Sequence, residues 1–115
     1  MTFKIMYHVG ESIDLKTKVK SGNALLTDNS FEIRGPLPLS IEFSSIKSVE
    51  MFRLHNLGRM IKIDFSSGIL FLSVVRFNFF GYFAVINFLK TGALFEILKS
   101  AAERTAAVDP AKRAG

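Results

Sequence analysis

Apolar and polar residues alternate with a period of two through most of the chain before about residue 75. Phe3, Ile5, Tyr7 and Val9 fall on one face of an opening strand, which Gly10-Glu11 punctuates. Ile13, Leu15, Thr17 and Val19 then alternate with Asp14, Lys16, Lys18 and Lys20, the pattern of a half-buried strand with lysines on its wet face. Ser21-Gly22-Asn23 reads as a bend before "ALLT", and Asp28-Asn29 as a turn. "SFEIRG" places Phe31 and Ile33 inward and Glu32 and Arg34 outward, and "GPLP" ends it. Leu39, Ile41 and Phe43 mark the next strand, whose flanking prolines suit a sheet edge. "SSIKSVEMFRL" predicts a bend into a further strand. "GRMIKIDF" alternates clearly, with Ile61, Ile63 and Phe65 against Lys62 and Asp64. Ser66-Ser67-Gly68 closes a short loop, and "ILFLSVV" is apolar on both faces, as a well-covered strand is.

The period changes near the carboxyl end. Thr91 sits where a helix N-cap is expected, and Leu94, Phe95, Ile97, Leu98, Ala101 and Ala102 recur at helical spacing. Glu96, Lys99, Ser100 and Glu103 occupy the other face. An amphipathic helix of about four turns is expected, which must bury its apolar face on the sheet. Beyond Thr105 the residues are small and polar, so a single domain over residues 1–105 with a flexible tail over 106–115 is expected. The predicted fold is mainly β: a strongly bent antiparallel sheet or partly open barrel of about seven strands with one carboxyl-terminal α-helix. Whether Phe3–Val9 belongs to the barrel or is added to it stays open.

Between the last strand and the helix lies "RFNFFGYFAVINF", from Arg76 to Phe88. Residues 69–89 are long enough to span a membrane as one helix. Their Leu, Ile, Phe and Val residues favour insertion by roughly −4 to −8 kcal/mol in sum, while Arg76 alone opposes it by up to about 3 kcal/mol. Asn78, Asn87, Ser73 and Gly81 oppose it further, so energy does not decide. Pattern does: "IKIDFSSGILFLSVV" reads as a hairpin, and a span would consume its second arm and orphan the first. The segment is therefore expected to be an apolar connection. It could fold back over the sheet as core, form a subunit interface, or dip into a bilayer surface. Phe77, Phe79, Phe80, Tyr82 and Phe83 are the expected contact residues, with another copy of the chain or another protein as partner.

Composition narrows the chemistry. A chain of 115 residues supports one packed core. It has no cysteine, so disulfides, thiolate metal sites and a cysteine nucleophile are excluded, and a cytoplasmic setting is expected. "MTFKIMYHVG" has no continuous apolar run, so no secretory signal is expected. Lys and Arg total 15 against 10 Asp and Glu, a formal charge of +5. That modest excess admits anionic partners such as lipid headgroups, and with them association with a membrane surface.

Lys16, Lys18 and Lys20 could grip phosphates from one strand face, although such a row is more often a solvated face or a guarded edge. Arg53, His55 and Arg59 surround a probable hairpin loop that could take an anion or be only a polar turn. His8 and His55 lack metal-ligand spacing. Asp14, Asp28 and Asp64 stand alone, with no readable nucleophile–base pair. "SSGILF" is a turn and not a phosphate cradle. No enzyme, cofactor or metal is expected, and the inward phenylalanines argue against a nucleic-acid surface.

"GNALLTDNSFEIRG", "LSIEFSSIKSVE", "GRMIKIDFSSGILFLSV" and "TGALFEILKSA" together resemble the pleckstrin-homology-like superfold, in its GRAM and bacterial PH-like branches. The resemblance covers about Lys18 to Ala102 and implies a bent seven-strand sheet with a helix plugging one end. The turn Asp28-Asn29 is acidic where phosphoinositide-binding relatives carry basic residues. There is no tryptophan for the final helix, where Phe95 would take the packing role. The resemblance thus implies a binding or assembly module.

Overall fold

A computed structural model describes residues 2–13, 18–53, 59–78, 83–86 and 88–108, with 76–78, 83–86, 88–89 and 106–108 described by their backbone. Among the described residues eight strands precede one helix: β1 (Thr2–Val9), β2 (Lys20–Leu26), β3 (Ser30–Arg34), β4 (Leu39–Glu42), β5 (Ile46–Arg53), β6 (Arg59–Phe65), β7 (Gly68–Asn78), β8 (Phe83–Ile86) and α1 (Phe88–Val108). All the pairings are antiparallel. The strand order is β4-β3-β2-β1-β7-β6-β5, with β8 joined to β7. β1 therefore lies at the centre of the sheet and is not an addition to it.

The connectivity forces the sheet to curl. β4 and β5 lie at opposite ends of the strand order, which in a flat sheet would separate them by about 29 Å. Only a 3₁₀ turn, Phe43–Ser45, joins them, and the four-residue step from Glu42 to Ile46 reaches about 14 Å at most. The two edges must swing toward each other. The short turn is pinned from both halves of the sheet. Phe43 donates its N–H to the Asn29 carbonyl in the β2–β3 turn, and Ser66 in the β6–β7 turn donates to the Ser45 carbonyl. The Thr27 hydroxyl shapes the first of these turns by accepting the N–H groups of Asn29 and Ser30.

The inward residues form one core. It takes Phe3, Ile5 and Tyr7 from β1, Phe31 and Ile33 from β3, Ile61, Ile63 and Phe65 from β6, and Leu70, Leu72 and Val74 from β7. α1 lies against β5, β6, β7 and the 3₁₀ turn. It buries Thr91, Leu94, Leu98 and Ala101, which share one face at three- and four-residue steps. Each of the two fully buried leucines is worth about 1.5–3 kcal/mol. β7 is covered on its other face as well, where Phe71, Ser73 and Val75 are buried. Met60 is fully buried beside them, and the Phe52 ring meets Phe71 edge-on at 6.0 Å. This explains why "ILFLSVV" has no polar face.

Several expectations are corrected. β2 does not begin in the lysine run: residues 14–17 lie outside the described set, and the strand starts at Lys20 and continues through Ser21-Gly22-Asn23. The cause is long-range. Gly22 pairs with Ile5, and a Cβ there would lie 2.6 Å from the Arg34 carbonyl oxygen and 3.0 Å from the Tyr7 ring. Glycine lets the strand pass where the buried Tyr7 ring lies. Phe43 is buried as expected, but in the 3₁₀ turn and not in β4. Thr91 is not an N-cap, because α1 begins three residues earlier and the Thr91 hydroxyl bonds a strand instead. The helix also runs to Val108, past the four turns expected.

The apolar connection is corrected too. It contains strand: β7 continues to Asn78, and β8 returns beside it with Asn78 opposite Phe83 and Val75 opposite Ile86. Residues 69–78 and 83–86 are thus extended chain, not a spanning helix. Among the described residues no helix is long and apolar enough to cross a membrane.

Candidate functional site

β7 is the longest strand, and its two halves have different neighbours. From Gly68 to Val74 it pairs with β6, β1 or both. The register with β6 ends at Leu72 and that with β1 at Val74, after which β7 pairs with β8. Val75–Asn78 and Phe83–Ile86 therefore form a two-stranded arm leaving the sheet. Where the arm departs, the Thr91 hydroxyl accepts the Val74 N–H at 3.1 Å and donates to the Val74 carbonyl at 3.3 Å. Ser73 donates its hydroxyl to the Arg59 carbonyl. These two side chains satisfy backbone that the β6–β7 ladder has released.

Of the expected contact residues, Phe77 lies in β7 opposite Ala84, and Phe83 opens β8 opposite Asn78. Phe79, Phe80 and Tyr82 fall between the strands, outside the described residues. A two-stranded ribbon is marginal by itself in water. This one is built from the most aromatic stretch of the chain.

A second feature lies at the same end of the sheet. Arg53 and Arg59 are direct cross-strand partners at the end of the β5–β6 pair. Like charges placed opposite each other destabilise a sheet. Arg59 also reaches the first turns of α1, where its Nη1 lies 3.1 Å from the position a Cβ on Gly92 would take. The amino-terminal end of a helix carries partial positive charge. Arg59 thus faces the like charge of Arg53 across the strands and a like-signed dipole end, an arrangement that an anion would relieve. His55 lies outside the described residues.

The lysine row is not brought together. Lys16 is outside the described residues, Lys18 is exposed and lies outside β2, and Lys20 opens β2 half-buried, opposite Tyr7. An open groove of about 490 Å³ runs past the β6–β7 turn. Its charged lining residues are Lys47, Asp64 and Glu11, one cation against two carboxylates, which does not favour an anion. A smaller cleft holds the acidic Asp28 and Glu42 beside Thr105. Among the described residues no group of three or more acidic, histidine or cysteine side chains is placed to hold a metal. His8 lies on β1 opposite Phe71, and its buried Nδ1 has no hydrogen-bond partner among the described residues.

Beside His8 on β1, the Tyr7 hydroxyl donates to the Leu37 carbonyl at 2.8 Å and accepts the Leu37 N–H at 3.0 Å. A Cβ on Gly35 would lie 2.9 Å from this hydroxyl oxygen. The loop between β3 and β4 is thereby held by a fully buried tyrosine. On the outside of β3, Glu32 accepts the Ser40 hydroxyl. Hydrogen bonds from Ser40 and Ser30 hold its carboxyl below the usual glutamate range, partial desolvation works against them, and the Arg34 charge adds to the lowering.

No family model matches the chain, and no curated protein matches it. Among solved structures it is similar to the C-terminal domain of an unknown protein from Leishmania infantum, with a TM-score of 0.60 and 17% identity over 90% of this chain and 82% of that one. At that identity the likeness speaks for the fold alone.

Proposed function

We propose that this chain is a non-catalytic, PH-like binding and assembly module that associates with copies of itself through the arm formed by β7 and β8. One observation carries the reading: β7 continues past its last pairing with β1 at Val74 and there pairs with β8, in the most aromatic part of the sequence. A ribbon of two strands leaves much of its apolar surface wet unless something covers it. The strand order and the single carboxyl-terminal helix support the PH-like resemblance. The cysteine-free sequence fits a cytoplasmic setting. Light scattering on the chain purified without detergent tests the reading. A sharp species larger than one chain is expected, and a sharp monomer at every concentration overturns it.

The Arg53–Arg59 pair favours a second activity, the binding of anionic headgroups at a membrane surface. Two cross-strand arginines, one of them with its guanidinium at the first turns of α1, offer forked donors to a phosphate. Co-sedimentation with vesicles containing phosphatidylserine should then weaken steeply with salt and disappear in the Arg53→Gln, Arg59→Gln double variant. Indifference to anionic lipid removes this activity without touching the assembly reading.

A further inference from the structure

The free edges of the sheet are guarded unequally. β4 is four residues long, follows Pro36 and Pro38, and ends at Glu42. β5 exposes Lys47, Glu50 and Arg53 and has α1 packed against it. These are the usual devices against edge-to-edge association: shortness, proline, charge and cover. β8 has one of them only. It is short, but Phe83-Ala84-Val85-Ile86 carries no charge, proline or glycine, and among the described residues it pairs with β7 alone. Among the described residues nothing pairs with its other edge, whose backbone donors and acceptors need partners once the arm is covered.

From this, and resting on the assembly reading above, we infer that β8 pairs antiparallel with β8 of a second copy about a two-fold axis, joining two β7–β8 ribbons into one continuous four-stranded sheet. A strand that pairs with itself about such an axis must carry no charge that would meet its own image. β8 meets that condition, whereas β5 does not. A two-fold axis normal to an antiparallel pair passes between a residue and its own image, so with the axis at Ala84 that residue lies opposite Ala84 of the partner subunit, and Phe83 opposite Val85 of the partner subunit. The second pair is of the aromatic–β-branched kind that favours strand pairing. Four strands also remove the weakness of an isolated hairpin.

The absence of cysteine makes a direct test clean. The full-length Ala84→Cys chain is oxidised gently and resolved without reductant, with Glu50→Cys on the guarded β5 edge as control. The expected result is a dominant covalent dimer from Ala84→Cys and little from the control. If light scattering shows an assembled species while Ala84→Cys cross-links no better than the control, the β8 pairing is wrong and the assembly reading survives. A monomer at every concentration overturns both. Val85→Lys supplies a second measurement: a folded chain that no longer assembles supports the pairing, and a folded chain that still assembles overturns it. Should Val85→Lys fail to fold, the cross-linking result decides.

Discussion

The Thr91 hydroxyl completes the backbone of Val74, accepting its N–H at 3.1 Å and donating to its carbonyl at 3.3 Å. A helix residue thus stands in for the strand neighbour that β7 loses where the arm begins. Both groups are buried, so removing the hydroxyl leaves a donor and an acceptor unsatisfied. Thr91→Val, which keeps the shape, should cost about 2–4 kcal/mol in urea unfolding. Thr91→Ser should restore most of that. Equal stability of the valine variant and the parent would refute the role given to this hydroxyl.

Tyr7 and Leu37 repeat the device thirty residues apart in the chain. Tyr7→Phe keeps the ring in the core and removes the bond to both Leu37 backbone groups. A loss of about 1–3 kcal/mol is expected, together with faster amide exchange at Leu37. Gly22→Ala should be at least as harmful, at about 1–3 kcal/mol, because the new methyl group meets the Arg34 carbonyl and the Tyr7 ring. Unchanged melting of Gly22→Ala would show that the strands have room that the geometry denies.

These two contacts explain much of what the sequence concealed. Alternation reports burial, so the inward faces of β1, β3, β6 and β7 were readable residue by residue. The helical face through Leu94, Leu98 and Ala101 was readable for the same reason. Gly22 looked like a bend because its local neighbours are Ser21 and Asn23. Its reason for being glycine is Tyr7, which only the β1–β2 register brings near. Thr91 looked like a cap because capping is the common local use of threonine, and its distant partner has no local signature. The Arg53–Arg59 pair became visible only once β5 and β6 were in register. β8 was hidden because an apolar run without alternation suits a strand, a helix or a covered loop equally well.

Glu32 gives a pH signature. Its carboxyl is held below the ordinary value of 4.5 in the folded chain, first by the Ser40 hydroxyl and then by that of Ser30. A depressed folded-state value means the ionised form favours folding. The contribution is complete above the unfolded-state value and is lost as pH falls from about 4.5 through the folded value. Ser40→Ala should raise the Glu32 titration midpoint and shrink this loss, read by NMR titration of the side-chain carboxyl. An unmoved midpoint would show that Ser40 does not hold the carboxylate.

The arginine pair has a consequence for stability apart from any ligand. Removing one of two opposed like charges should help the fold, so Arg53→Gln is expected to stabilise by about 0.2–1 kcal/mol at low ionic strength. The gain should fade as salt screens the pair. Thermal melts over a salt series check this, and destabilisation at low salt would show that the guanidiniums are not in repulsion.

The most direct test of the assembly account is light scattering over a concentration series for the parent chain and a Phe79→Asp, Phe83→Asp variant, both prepared without detergent. The parent should give a defined species larger than one chain. The variant should run as a monomer with the far-ultraviolet circular dichroism of the parent. A parent that stays monomeric throughout, or a variant that unfolds globally, would contradict the account and assign the arm to the core of a single chain.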